Sequence, residues 1–518
     1  MNFHLLALAA AATLPCSLAN AATFGERFDP AKFTLVEAAD GSTSGLYNNG
    51  AGDQAVGKVI LLSGASASAK FLGTFVIEDN CDKATLSVLW NDATAGSSYR
   101  AYACDTKAGS IINGATIDSL LIIKRDTGGS IQGVNPVYNP ARINFMKVGA
   151  INTSFAGATS ASNNCAAVAL PAGKTAPDLN SPNFSCGSTT GLFSDAGFSD
   201  LEPEIIFASI NGGSTLTPTL GTITRKQVFQ QIFGVAANLK LYRALQASQG
   251  LTQDDQPANR PSLSSSFVSS ALTGKLSTSA TGKRGWGTVI SAAVDANATT
   301  KQVNICRRAA GSGTQAGANA YFAANPCSSG KATPLTAAGA IGVTGTTTAV
   351  VEASSAGNLE ACLTNIDDLA GGDAYGIGHL TRDLDPLANG GDKKYRYVKL
   401  DGAQPEAHPN ATTGVCDFAG CQDAQSGKYN YVYESVMLYN SGTPGAAGKK
   451  TALDNIAAKA FLPATIAGND LAVIAGAMAL PTTYTGAYES QALGSAAQVY
   501  GSRVSRGASS CSPLTLAR

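Results

Sequence analysis

An α/β fold of two lobes is the class this sequence predicts, and three observations predict it. The chain has 518 residues, too many for one compact core, so two lobes or domains are expected. Strand-type apolar runs alternate with helix-type segments, the order of a sheet flanked by helices. Several of those strands run into loops of small residues, where an open α/β sheet collects its ligand groups.

The elements follow in chain order. An apolar stretch from Leu5 to Leu14 precedes Ala19-Asn20-Ala21, a small-x-small pattern, so residues 1–21 read as a secretory leader. Its first residues lack Lys and Arg, and the order Leu14-Pro15-Cys16 does not suit a lipoprotein cleavage site. A soluble exported protein, periplasmic or secreted, is therefore expected. Lys58 to Leu62 reads as a strand. It leads into the small-residue loop Ser63-Gly64-Ala65-Ser66-Ala67-Ser68, and then into Lys70 to Ile77, where helix and strand both stay open. Ser119 to Lys124 is another strong strand and ends at Asp126-Thr127-Gly128-Gly129-Ser130. Residues 150–190, rich in Ser, Asn, Pro and Gly, read as a surface excursion tied down by Cys165 and Cys186. Gln227 to Val235 reads as a strand, Leu239 to Gln246 as the start of a helix, and residues 247–262 as a loop. Leu471 to Leu480 is about half of the ~20 apolar residues a membrane span needs, and reads as a buried core element.

The segment Arg307-Arg308-Ala309-Ala310-Gly311-Ser312-Gly313-Thr314 follows a short strand-like run, and Gln315 to Ala324 reads as a helix. Chemically this is an oxyanion cradle. The first N–H groups of a helix have no intrahelical partners and point at whatever sits in the turn. Glycine lets the backbone approach closely. Ser312 and Thr314 add hydroxyls, and Arg308 adds a planar fork that matches two oxygens of a phosphate or sulfate.

Composition narrows the class. Formal net charge is zero and charged residues make up 14%, which argues against electrostatic nucleic-acid binding. Of eleven cysteines, Cys16 lies in the leader. The other ten read as five disulfides in an exported protein. Nearest-neighbour pairing is the simplest scheme: Cys81–Cys104, Cys165–Cys186, Cys306–Cys327 and Cys416–Cys421, with Cys362 and Cys511 left to each other. No CxxC pair suggests zinc, and no cofactor is expected. His379 and His408 lie far apart, and no Gly-x-Ser-x-Gly elbow accompanies them. Asp383-Leu384-Asp385 with Asn389 and Asp392 invites a calcium reading, but Pro386 interrupts it and the EF-hand order fails.

Taken in order, four segments resemble the periplasmic phosphate-binding proteins of ABC transporters, within the type 2 solute-binding superfamily. Gly64-Ala65-Ser66-Ala67 resembles that family's first phosphate loop, and Gly128-Gly129-Ser130 its second. Gly197-Phe198-Ser199-Asp200 resembles its Gly-Ala-Ser-Asp segment, and Arg308-x-x-Gly311-Ser312-Gly313-Thr314 its last. Leu272-Thr273-Gly274-Lys275 ahead of Trp286, and Ala374 to Gly378, resemble further family segments. The resemblance implies two lobes around a cleft, residues 22–225 with 395–518 forming the first and 226–394 the second. It implies a ligand set of Ser66, Ala67, Ser130, Asp200, Arg308, Ser312, Gly313 and Thr314, with Asp200 accepting a hydrogen bond from protonated phosphate. It also implies a monomer that hands its solute to an ABC permease. Two departures stand out: Ala67 replaces a common Phe, and Ala310 replaces a frequent carboxylate beside the arginine.

Other readings of the same residues stay open at this point. Asp200 also reads as a helix N-cap in Ser-Asp-Leu-Glu-Pro. Ser66 and Ser130 also read as turn residues, and Arg308 as one half of a surface ion pair. Asp195 reads as a solvated loop residue, and Arg307 as facing away from the site. For the whole chain, a secreted phosphatase-like enzyme on the same scaffold is one alternative. A structural or adhesive surface protein is another, though no fixed repeat period is found.

Overall fold

The computed structural model describes residues 34–37, 43–48, 53–55, 59–91, 98–110, 112, 119–148, 165–213, 221–276, 285–388, 391–407, 416, 418–443, 449–469 and 476–517. The expected leader, His408 and Asn389 lie outside them.

The two-lobed α/β architecture is built on one large mixed sheet. In chain order its principal elements are β1 (Val59–Gly64), α1 (Ser68–Asp79), β2 (Ser119–Arg125), α2 (Ile131–Tyr138), β3 (Ala196–Ser199) and β4 (Ile223–Asn238). They continue as β5 (Val303–Arg308), α3 (Gly313–Ala323), β6 (Ala349–Ala353), α4 (Ala356–Asp367), β7 (Tyr375–Thr381) and β8 (Val432–Asn440). The sheet order is β6-β5-β7-β4-β8-β3-β1-β2, and four further strands extend it beyond β2. The two halves repeat one plan. In the first, β1 lies between parallel β2 and β3, with antiparallel β8 outside β3. In the second, β5 lies between parallel β6 and β7, with antiparallel β4 outside β7.

The apolar runs explain the central strands. Val59-Ile60-Leu61-Leu62 is buried throughout, as a strand covered on both faces must be. Its residues alternate: Ile60 and Leu62 pack with Leu120 and Ile122, while Val59 and Leu61 pack with Leu121 and Ile123 on the opposite face. The segment from Lys70 to Ile77, open between helix and strand in the sequence, is helical as part of α1. The expected strand from Gln227 to Val235 is longer at both ends, as the 16-residue β4. Its first part pairs with β8, from Ile223↔Asn440 to Ile232↔Val432, and its last part with β7, from Phe233↔Thr381 to Ala237↔Ile377. One strand thus joins both halves of the sheet. The described end of the stretch from Leu471 to Leu480 is a buried strand, Ala477–Ala479, paired with β4.

Two buried polar residues stand out, and the first departs from expectation. Asp195 is buried, not solvated: it accepts the Leu61 N–H at 2.7 Å and pairs with buried Lys449 at 2.8 Å. The isolated carboxylate would be costly at that depth, and the lysine offsets the cost. His379 sits on β7 within the aromatic core, 5.1 Å from the Phe322 ring and 6.1 Å from the Tyr431 ring, and neither ring nitrogen makes a hydrogen bond.

The disulfides are Cys81–Cys104, Cys165–Cys186, Cys306–Cys362, Cys327–Cys511 and Cys416–Cys421. The expected Cys306–Cys327 link is not formed, and neither is Cys362–Cys511. Cys306 is in the middle of β5, and α4 packs against that strand and presents Cys362 to it. Cys327 lies beyond the end of α3 and meets the C-terminal segment. Packing of helix on sheet, not nearness in sequence, sets these partners. Among the described residues no helix is long and apolar enough to cross a membrane.

Two tests follow from this core. Peptide mapping without reduction is expected to recover Cys306 linked to Cys362 and Cys327 linked to Cys511. The double change Cys327→Ser with Cys511→Ser, which opens a separation of 184 residues, should lower unfolding free energy by about 2–4 kcal/mol in urea titrations. The second concerns acid. Burial lowers the His379 pKa from 6.5 to about 3. Between those values the unfolded chain binds a proton that the folded one refuses, so stability falls as pH drops through that window. His379→Phe should flatten the slope of stability against pH between about 6.5 and 3; an unchanged slope would show that the imidazole is not held neutral.

Candidate functional site

All six parallel strands of the two repeats end toward one cleft. In each half the chain passes from its central strand to one neighbour and then to the other, so the carboxyl ends of β1 and β5 lie at points where the strand order reverses, the position where open α/β sheets form crevices. A cavity of about 650 Å³ lies there. The first half lines it with Ser66, Lys70, Arg100 and the Asp126–Gly128 turn; the second with Arg308, Ser312, the Ser354–Gly357 turn and Asp383.

Helix starts dominate this cleft. α1, α2 and α3 begin at Ala67, Ser130 and Ser312, and none of these three caps its helix with a side-chain hydrogen bond. At α2 the first N–H groups are nonetheless taken, Ile131 N–H by Gly311 O and Gln132 N–H by Gly129 O, whereas the uncapped starts of α1 and α3 leave the positive end of the helix dipole at the cleft. α4 differs, because Ser355 accepts the Asn358 N–H at 3.1 Å.

The Asp126–Ser130 turn and the Gly311–Gly313 turn meet directly. Ile131 N–H donates to Gly311 O at 3.0 Å, and Gly311 N–H to Asn211 O at 2.8 Å. Behind the cavity wall, Ser130 Oγ accepts the Asp200 N–H at 3.1 Å. Gly313 packs against this pair so closely that an added Cβ would lie 2.3 Å from both Asp200 Oδ2 and Ser130 Oγ. A second close approach brings Ser130 and Asp200 together: a Cβ on Gly197 of β3 would lie 1.6 Å from Gly133 O of α2.

Three buried charges set the electrostatics. Lys124 at the end of β2 pairs with Asp126 and donates to the Gly64 and Ala65 carbonyls at 3.2 Å each; burial lowers its pKa, opposed by Asp126. Asp200, 3% exposed, has Oδ1 buried without a hydrogen-bond partner. Burial raises its pKa to about 6, opposed by the Ser130 hydroxyl and by the Arg308 and Lys124 charges, with Asp383 adding to the rise. Arg308, 5% exposed, makes one long hydrogen bond, Nη2 to Ser354 O at 3.4 Å, and its Nε makes none. Burial lowers its pKa, and Asp200 and Asp383 oppose this.

Of the residues expected from the sequence, Ser66, Arg308 and Ser312 line the cavity, and Ser130, Asp200 and Gly313 form the buried cluster behind its wall. Ala67 and Thr314 are buried beside them without lining it. Asp200 is not a helix cap: the short helix Pro203–Ile206 starts after Glu202. Arg308 is not a surface ion-pair residue. Its neighbour Arg307 faces elsewhere, donating to Leu335 O and lying 3.7 Å from Glu352. Asp383, read in the sequence with a weak calcium pattern, faces the cavity; Asp385 is exposed and Asp392 pairs with Arg396. Among the described residues no cluster of acidic, histidine or cysteine side chains suits a metal ion.

Sequence reading missed Lys70, Arg100, Glu360, Asp383 and Lys393, all in the cavity wall. Lys70 and the Ser354-Ser355 pair carried a usable signal, a polar group just after a strand at a helix start. Arg100 comes from an antiparallel strand, Tyr99–Asp105, that no motif marks.

Comparison with known proteins adds little weight. No family model matches the chain, and no curated protein matches it. Among solved structures it is similar to PstS from Borrelia burgdorferi, at 10% identity over 82% of this chain and 98% of that one, with a TM-score of 0.31. It is also similar to a possible phosphate binding protein from Planctomyces limnophilus, at 9% identity over 74% and 82% of the two chains, with a TM-score of 0.27. Likenesses this loose carry no argument.

The Gly313 contact is testable. Gly313→Ala is expected to force Asp200 and Ser130 apart and destabilise by about 1–3 kcal/mol, as overpacking does. Gly330→Ala, with nothing within 4 Å of the new methyl group, should be neutral in the same urea titrations.

Proposed function

We propose that this chain is an exported solute-binding protein that takes phosphate or a related oxyanion in its cleft. The observation that carries the reading is Arg308, a buried guanidinium in a cavity wall with no ion pair among the described residues. A buried cation that makes no direct ion pair is costly, and an oxyanion with planar or tetrahedral oxygens is its natural complement. The uncapped helix starts at α1 and α3 supply further donors.

In this reading Arg308 and Ser312 donate to the oxyanion, Ser66 and the first N–H groups of α1 close over it, and Ser130, Gly313 and Thr314 hold the second and last loops in register. Ala67 contributes only backbone. On closure of the lobes Asp200 Oδ1, an unpartnered acceptor buried behind the wall of the described cavity, takes the proton-bearing oxygen of the ligand. That selects phosphate over sulfate, which carries no proton near neutral pH. Residues 22–225 and 395–518 make one lobe and 226–394 the other, hinged about the paired strands β4 and β8. Five disulfides fit an oxidising compartment outside the cytoplasm, and an ABC permease is the partner this role calls for. Catalysis is the second reading, but His379 is sequestered in the aromatic core rather than in the cavity wall.

Calorimetry of the oxidised protein with phosphate, arsenate and sulfate tests the proposal. Phosphate and arsenate should bind, and Arg308→Ala should weaken both by about 2 kcal/mol or more. Phosphate affinity should fall as pH drops below about 6, where Asp200 takes up its proton and stops accepting. Asp200→Asn should shift preference toward sulfate. No heat from any of the three anions would sink the reading.

A further inference from the structure

The cavity is much larger than one oxyanion requires. Its volume is about 650 Å³, whereas a water fills about 30 Å³, and pockets that hold drug-sized ligands measure roughly 300–1,000 Å³. A five-atom oxyanion at Arg308 would leave most of the space to another part of the solute. Building on the reading of this site as an oxyanion site, we propose that its solute is a phosphate monoester of a polyhydroxy compound, such as a sugar or glycerol phosphate, rather than free phosphate.

The chemistry of the remaining wall identifies that second part. Glu360 and Asp383 both line the cavity. Glu360 is fixed by Lys393 at 2.6 Å and by the Tyr395 hydroxyl at 2.7 Å, and Asp383 by the Thr381 hydroxyl. Two positioned carboxylates repel a bare phosphate dianion but accept hydrogen bonds from hydroxyl groups. Lys70 reaches across the cleft from α1 to the Asp383 carbonyl, so donors and acceptors from both lobes face the same space.

Two other solute classes fit less well. Among the described residues no aromatic side chain lines the cavity, so a nucleobase would have no stacking platform. The wall cations outside internal pairs are Lys70, Arg100 and Arg308, faced by Asp383 and by Asp200 behind the wall. That small excess of positive charge suits one phosphate group and not a polyphosphate.

Calorimetry of the full oxidised chain decides this, with inorganic phosphate, glycerol 1-phosphate, glucose 6-phosphate, AMP and glucose as probes. At least one polyol ester should bind about tenfold or more tighter than inorganic phosphate, with AMP no better than phosphate and glucose inert. Glu360→Gln, and separately Leu384→Trp, which fills the cavity from its rim, should weaken the ester about tenfold while leaving inorganic phosphate within about twofold. Thermal unfolding confirms that each variant is folded. If inorganic phosphate binds more tightly than both esters, or both variants weaken all anions equally, the ester proposal is overturned and the oxyanion site stands. If no phosphate compound binds, the oxyanion reading fails and this inference fails with it.

Discussion

The hydrogen-bond ladder along Ile223–Asn238 is the constraint on which the rest of the architecture depends. A 16-residue strand spans about 50 Å at roughly 3.3 Å per residue, long enough to belong to both halves of the sheet. It pairs with β8 up to Ile232 and with β7 from Phe233 onward. Two repeats that would otherwise need only a linker are thereby fused through backbone hydrogen bonds. The carboxyl ends of β1, β2 and β3 are then fixed against those of β5, β6 and β7. A common cleft results from this register and from the shared 2-1-3 strand order, not from any one loop.

Within that frame, the polar interior shows how buried charge is handled. Lys124 has Asp126 and several carbonyls, Asp195 has Lys449 and the Leu61 N–H, and Arg307 has Leu335 O with Glu352 nearby. Each satisfies the rule that a buried ion needs a partner and hydrogen bonds together. Arg308 and Asp200 depart from it. They feel each other's charge, yet Nε of one and Oδ1 of the other make no hydrogen bond. Arg308 is in the cavity wall and Asp200 lies behind it, and the proposed protonated oxyanion would supply the partner each of them lacks.

Local features of this protein were legible in its sequence. The run Val59 to Leu62 specified a buried strand because every residue is apolar, and the small residues after it specified a tight turn, while the helix that follows was left open against a strand. The Gly311-Ser312-Gly313 turn and the loops at Ser66 and Ser130 were readable for the same reason: turn chemistry and helix starts are set within a few residues. Even the neglect of Arg307 followed from the alternation of side chains along β5.

What sequence could not supply was decided by contacts between distant segments. Cys306 pairs with Cys362 because α4 packs on β5, although Cys327 is nearer along the chain. Asp195, which reads as a loop residue, became a buried partner of Lys449, 254 residues away. Arg100 and Glu360 carry no motif, Lys70 and Asp383 carry only weak ones, and the cleft gathers them because two repeats of the sheet present their strand ends to each other. By itself the sequence determined local backbone geometry, where propensity and turn residues act over a few bonds. Only the tertiary structure decided which charges share a low-dielectric space, because that depends on strand register and helix packing across the whole chain.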